Sequence, residues 1–308
     1  MHASPPRGVA VAGAVLGAAV VTVVGGLLEA RAYRVVRHHL TLSAASLPDG
    51  LRILHISDLH YVKGQTAKAR FVAALAGLAP DLVIATGDLL SDDNAFDEFA
   101  TFMGPLLKLP GAFVFGSNDY FGPTPVNPAY YLKHRAGHAR TKGPLLAWRR
   151  VRDALTAAGW MDLNNARARL SAGGLALELR GAGDAHIGMD DYAAGAPPDA
   201  DWVDQPASLL IGVTHAPYRR VLDAMAADGV TLMLAGHTHG GQICLPGKAL
   251  VANCDLPTSM IKDVHRYPFS VGQPAWLHVS AGVGSAPTFP LRTFCRPEAC
   301  MLDINLAS

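Results

Sequence analysis

Leu51-Arg52-Ile53-Leu54-His55-Ile56-Ser57-Asp58-Leu59-His60 is the stretch on which the fold turns. An apolar run of strand length ends abruptly in a carboxylate and an imidazole two residues apart. The pattern recurs downstream. Leu82-Val83-Ile84-Ala85-Thr86 runs into Gly87-Asp88, and Ala112-Phe113-Val114-Phe115, entered through Pro110-Gly111, runs into Gly116-Ser117-Asn118-Asp119. Helical patterns over 67–78 and 95–107 fall between these runs. Strands alternating with helices read as βαβ units on a largely parallel sheet. In the second half, Leu175–Arg180 reads as a half-exposed strand, and Ser208–Thr214 and Val230–Ala235 as buried strands around a helix over 218–227. Ala275–Ser280 and Ala299–Ile304 are expected to complete a second sheet. The fold class is therefore α/β, with two mixed sheets face to face and helices outside.

The polar residues fall where such a fold gathers them. Asp58 and His60 follow the first buried run, Asp88 the second, Asn118 and Asp119 the third, His215 a later one, and His237 and His239 the next. Open α/β sheets bind ligands beyond the carboxyl ends of their strands. Carboxylate, carboxamide and imidazole donors suit Mn, Fe, Zn or Mg rather than a thiolate-loving ion. So many donors exceed one transition ion and fit two divalent ions that share a carboxylate and clamp a phosphoryl group. Singly, each motif has a bland reading: a strand-end Asp is commonly a helix cap, and His55 inside a strand is a core residue. Five in this order are a different matter.

The set Ser57-Asp58-Leu59-His60, Thr86-Gly87-Asp88, Gly116-Ser117-Asn118-Asp119, Thr214-His215-Ala216-Pro217 and Gly236-His237-Thr238-His239-Gly240-Gly241-Gln242 resembles the calcineurin-like metallophosphoesterases. The last segment, with an apolar N-terminus, is most similar to the membrane-associated bacterial branch, which includes UDP-2,3-diacylglucosamine pyrophosphatases and phosphodiesterases. The resemblance runs from about Leu51 to the C-terminus. It implies a four-layer α/β/β/α sandwich and a hydroxide shared by two metals as the nucleophile. It gives Asp58, His60 and His239 to one metal, Asp88 to both, and Asn118, His215 and His237 to the second. One motif departs. The family's third motif carries Asn on a metal and then His near the leaving group; here, without a gap, Ser117 and Asn118 take those places. A one-residue slip keeps Asn118 on the metal and puts Asp119 where the histidine would stand. The slip is favoured because a carboxamide oxygen ligates better than a serine hydroxyl. Either way the histidine is missing, and general acid help is typically worth roughly 10²–10⁴-fold. The substrate is then expected to have a good leaving group, such as a pyrophosphate or aryl diester. Otherwise Asp119, His186 or His138 supplies the proton. A membrane-anchored pseudo-enzyme that binds a phosphorylated ligand without turnover is the alternative.

Val9–Leu28 is twenty residues without a charge, enough for a helix to span roughly 30 Å of hydrocarbon. It is longer than the apolar part of a cleaved signal peptide. Residues 1–8 are read as a tail, 9–28 as a single-pass anchor, 29–50 as a connector and 51–308 as the metallophosphoesterase domain. Arg31, Arg34 and Arg37 follow the apolar run and only Arg7 precedes it, which sets the domain on the cytoplasmic side. Residues 120–152 hold no Asp or Glu but seven Lys or Arg. This insertion reads as a basic loop entering a helix near 145–158, with Arg135 and Arg140 as contacts for an anionic substrate or lipid headgroup. A net charge of +1 over 308 residues argues against a nucleic-acid partner. Cys244, Cys254, Cys295 and Cys300 show no CxxC spacing, and either thiols or two bridges are open. A GxSxG nucleophile elbow is absent, and the Gly241–Lys248 likeness to a phosphate loop lacks the required Ser or Thr.

Overall fold

The computed structural model describes residues 21–43, 50–124, 143–194, 207–268 and 275–307. Arg135, Arg140, His138 and most of the expected anchor lie outside them. Two six-stranded sheets dominate. The first contains β1 (Arg34–Ser43), β2 (Leu51–Ile56), β3 (Leu82–Thr86), β4 (Gly111–Val114), β5 (Met161–Asp162) and the C-terminal strand β14 (Glu298–Ala307), in the order β1-β14-β2-β3-β4-β5. The second contains β6 (Arg167–Ala172), β7 (Leu175–Ala182), β8 (Leu209–Thr214), β9 (Leu232–Ala235), β12 (Asp263–Tyr267) and β13 (Ala275–Val279), in the order β12-β13-β9-β8-β7-β6. Both are mixed: β2 to β5 run parallel with β14 antiparallel to β2, and β7, β8, β9 and β13 run parallel between antiparallel edges. A small hairpin joins β10 (Cys244–Leu245) and β11 (Lys248–Ala249).

Alternation of side chains along each strand divides the core. Leu51, Ile53, Leu82, Ile84, Leu302 and Ile304 of the first sheet meet Leu177, Leu179, Ile211, Val213 and Leu232 of the second in one buried cluster. The opposite face of the first sheet, with Leu54, Ile56, Val83 and Phe113, packs on the helices α2 (Thr66–Ala74), α3 (Phe96–Met103) and α5 (Trp148–Ala157) through Val72, Phe99 and Leu155. The outer face of the second packs on α6 (Arg219–Ala227) through Leu222 and Met225. Between these, α4 (Ser117–Tyr120) is a single turn after β4.

Three expectations change. The segment 29–50, expected as a connector, contains the ten-residue β1, paired in parallel with β14 along its whole length. Arg34 explains part of this, since its guanidinium binds buried Glu298 at 2.8 Å. The C-terminal strand, expected in the second sheet, lies in the first between β1 and β2. And β7 is mostly buried rather than half-exposed, because β6 covers one edge and β8 the other. The four cysteines are free, buried thiols.

At the N-terminal side, residues 21–29 form a helix, α1. Val21, Val23, Val24, Leu27 and Leu28 are exposed on it. Among the described residues no helix is long and apolar enough to cross a membrane.

Candidate metal centre

The loops after β2, β3, β8 and β9 converge. They do so in an unusual backbone conformation: Asp58, His60, Asp88, His237 and His239 all have positive φ, between 41° and 67°. For a residue with a β-carbon this left-handed region is strained by on the order of 1–3 kcal/mol each, and such strain gathers at functional sites. Two glycines make the convergence possible. A β-carbon at Gly116 would clash with the Asp88 carboxylate and the His215 ring, and one at Gly236 with Ser57 and Asp58.

Two overlapping groups of donors result. One is Asp58, His60 and His239, and the other Asp58, Asp88 and His215, the donor atoms of each within 4.8 Å of one another. His60 Nε2 and His239 Nε2 face each other at 3.2 Å. Two nitrogens on one ion, at about 2.1 Å each, stand about 3.0–3.4 Å apart, so this spacing fits. Asp88 Oδ2 lies between the groups, 3.4 Å from His60 Nε2 and 3.5 Å from His215 Nε2. The rings are held by their other nitrogens. His215 Nδ1 donates to the Thr86 carbonyl at 2.6 Å, leaving Nε2 buried with no hydrogen-bond partner. His60 Nδ1 rests on Ser91 Oγ at 3.2 Å, and His239 is bonded to the Gly284 carbonyl. Such outer contacts fix the tautomer that presents a lone pair to a metal. His237 stands beside His215, ring centroids 5.1 Å apart, with Nε2 on the Asn253 carbonyl at 3.0 Å.

Electrostatics also call for cations. Asp58, Asp88, Asp119 and Asp184 are all buried here. Burial pushes the Asp58 carboxyl up to about 7 and the Asp184 carboxyl up to about 6. Burial opposes charge on His215, yet Asp88, Asp184 and Asp58 outweigh it and raise its pKa to about 9. Buried carboxylates without compensating charge are costly, and metal coordination relieves them. The residues present therefore fit a pair of divalent ions.

The altered third motif has a clear local structure. Asn118 donates to Asp88 through its backbone N–H at 2.8 Å and its carboxamide at 2.7 Å. Asp119 turns the other way. Its carboxylate accepts from the backbone N–H groups of Asp88 and Leu89 at 2.7 Å, Gly116 at 2.8 Å and Leu90 at 3.3 Å. Burial and the Asp88 carboxylate raise its pKa to about 7, against the pull of those donors. Asp119 thus ties the loop after β3 to the loop after β4. His186, also expected as a proton source, does reach the site: its ring centroid is 4.4 Å from that of His237, and Nδ1 contacts the Tyr218 hydroxyl at 3.0 Å.

Arg292 and Asp184 belong to the site and carry no sequence motif. Arg292 is fully buried. Its guanidinium gathers the carbonyls of Ala281, Gly282, Gly284 and Cys295 and stands 3.2 Å from His239 Nδ1. It thereby shapes the loop after β13, whose Val283 and Gly284 N–H groups hold the Ser57 and Asp58 carbonyls. The same loop joins α1: Arg292 N–H donates to the Gly26 carbonyl at 3.1 Å, and the Glu29 carboxylate accepts from Phe294 and Cys295.

Known proteins match this chain in sequence. The family model for calcineurin-like phosphoesterases matches residues 51–241. Phosphodiesterase YaeI of Escherichia coli is 27% identical over 277 residues, covering 88% of each chain. The metallophosphoesterase YkuE of Bacillus subtilis is 25% identical over 86% of this chain and 84% of its own. A zebrafish transmembrane protein with a metallophosphoesterase domain is 26% identical over 63% of this chain and 41% of its own length. The chain belongs to the calcineurin-like phosphoesterase family and is a metal-dependent phosphoester hydrolase.

Proposed function

We propose that the chain hydrolyses a phosphodiester or pyrophosphate bond of a membrane-proximal or lipid-linked substrate, from a domain held against the cytoplasmic face of a membrane. The observation that carries this is the tie between α1 and the centre. The helix exposes an apolar surface, its Gly26 and Glu29 are bonded to the Arg292–Cys295 segment, and four residues separate it from β1. Exposed Phe294 and Leu245 are on segments bonded to each other through Thr293 and Cys244. An apolar helix continuing from residue 9 would hold the centre at the bilayer surface. The arginines that follow it favour the cytoplasmic side, and one relative is named a transmembrane protein.

Asp58, His60 and His239 would hold one ion, and Asn118, His215 and His237 the second, with Asp88 shared. When bound, such a pair polarises the phosphoryl group and acidifies a water. This chain's own residues then do three things. Ser57 Oγ donates to Asp58, while Ser91, Thr86 and Gly284 hold the rings of His60, His215 and His239. Asn118 keeps Asp88 turned toward the ligands. His186, whose ring lies 4.4 Å from that of His237, would give the leaving group its proton in place of the histidine missing from the third motif.

The test is hydrolysis by protein loaded separately with Mn, Fe, Zn and Mg. Substrates would be bis-p-nitrophenyl phosphate, p-nitrophenyl phosphate, and one diester or pyrophosphate presented both in phospholipid vesicles and as its soluble headgroup. Diesterase activity exceeding monoesterase activity, with faster turnover on vesicles, supports the reading. Equal rates on vesicle and soluble headgroup would overturn its membrane part. A leaving-group series on His186→Gln should steepen relative to the wild type; an unchanged slope removes His186 from that role.

A further inference from the structure

The inner faces of the sandwich are apolar along most of their length and change character at one end. On β1 the inward row runs His38, Leu40, Leu42; on β14 it runs Cys300, Leu302, Ile304; on β2 it runs Leu51, Ile53, His55. The leucines and isoleucines of these rows belong to the dry cluster between the sheets. From the second sheet, β13 adds His278 beside Trp276. Three imidazoles and a thiol therefore cap a hydrocarbon core. Of these, His55, His278 and Cys300 are completely buried.

Their hydrogen bonds are incomplete in a particular way. His55 is satisfied at both nitrogens, Nε2 by Thr86 Oγ1 at 2.8 Å and Nδ1 by His278 Nδ1 at 2.8 Å. His278 is thereby held by Nδ1 alone, and its Nε2 is buried with no partner. His38 Nε2 is likewise buried and unpartnered. The His38 and His278 ring centroids are 5.2 Å apart. One donor atom each from His38, His278 and Cys300 lie within 4.8 Å of one another. Buried polar atoms are almost always paired, and two orphaned imidazole nitrogens beside a thiol in one spot share an obvious partner.

We propose that His38, His278 and Cys300 form a metal site in the sandwich interior, distinct from the dinuclear centre, which takes a zinc-class ion on two imidazoles and one thiolate. A thiolate with imidazoles selects Zn²⁺ or a similar borderline-soft ion over Mg²⁺ or Mn²⁺. The catalytic donors, carboxylates and imidazoles without sulfur, do not share that preference. Binding exchanges a proton for the ion: the Cys300 Sγ–H bond breaks, Sγ bonds to the metal, and the proton leaves to solvent. The contact His278 Nδ1 makes with His55 is the outer support that metal-bound histidines regularly have. His38, partly exposed on the edge strand β1, is where an ion would come in. The ion would join β1 and β14 of one sheet to β13 of the other.

Cobalt is the probe, because thiolate ligation produces a near-ultraviolet charge-transfer band that oxygen and nitrogen ligands do not. Full-length protein titrated with Co²⁺ should bind a third equivalent beyond the catalytic pair and develop that band, with Zn²⁺ displacing it. Cys300→Ser should remove the band and the third equivalent, while phosphodiesterase turnover stays within about twofold. His38→Ala, on a partly exposed edge residue, should weaken the third equivalent at least tenfold and keeps the test open should Cys300→Ser not fold. Saturation at two equivalents without the band would overturn the proposal. So would a band that survives Cys300→Ser, which would move the thiolate to Cys244 or Cys295.

Discussion

In the strands β2 and β3 and in the ligand residues Asp58 and Asp88, each set off from its strand end by one residue, opposite rules hold. Within the strands, Leu51, Ile53, Leu82 and Ile84 are buried between the sheets with ordinary extended backbones. Just beyond, Asp58, His60 and Asp88 are as deeply buried but left-handed, charged or ligating. One region lowers the free energy of the fold. The other raises it, through strained backbone and crowded carboxylates, and is tolerated because the first is so well packed. The lesson is that burial alone does not separate scaffold from site; backbone conformation does.

This contrast can be broken at either side. The largest loss of function is expected from Asp88→Asn, which keeps the size and the tolerance for positive φ but removes the shared carboxylate. Metal content measured on the purified protein should fall, and diesterase turnover should fall by more than about 10²-fold, the upper range for outer-contact mutations at metal sites. Its melting temperature without metal should not drop. Ile53→Ala reverses the pattern. A cavity in the inter-sheet cluster should lower unfolding free energy by about 2–5 kcal/mol, read by urea denaturation, with turnover per folded molecule unchanged. Asp119→Asn lies between the two. It halves the acceptors for four backbone N–H groups, and turnover should fall by roughly 10–100-fold. If Asp119 acts by positioning the loops alone, the fall should be the same across a leaving-group series; a larger fall with poor leaving groups would make it an acid. The smallest effect belongs to the outer helical layer. Asp92 accepts from Asn94 N–H at 3.0 Å at the start of the turn that leads into α3. Asp92→Ala should lower stability by about 1 kcal/mol with metal content intact.

Much of this was legible in the sequence for a physical reason. Strands buried on both faces read as apolar runs, so β3, β8 and β9 stood out, as did β2 apart from its exposed Arg52 and its His55, and the ligand-type residues at their ends stood out with them. Strands at the edges carry weaker signals. Arg34–Ser43 alternates His and Leu with Arg and Thr, and its place is decided by a partner near the far end of the chain. Register with β14, not local propensity, makes it a strand. The role of Asp119 was hidden for a similar reason. A carboxylate beside an expected ligand invites a chemical role, and only the three-dimensional path of the β3 and β4 loops shows four backbone donors aimed at it. Arg292 left no trace in the sequence, since its partners are main-chain carbonyls and carry no residue identity.

The pairing of β1 with β14 also sets an order of events. Arg34 and Glu298 are 264 positions apart, and ten residues of each strand join across that gap. Contacts so distant along the chain close slowly and late. The first sheet cannot be completed until Glu298–Ala307 has been synthesised, so β2 waits with an open edge while the residues before that strand are made. A chain truncated before Glu298 would lose the strand between β1 and β2, leaving β1 without its partner and β2 with one bare edge, both exposed to other chains.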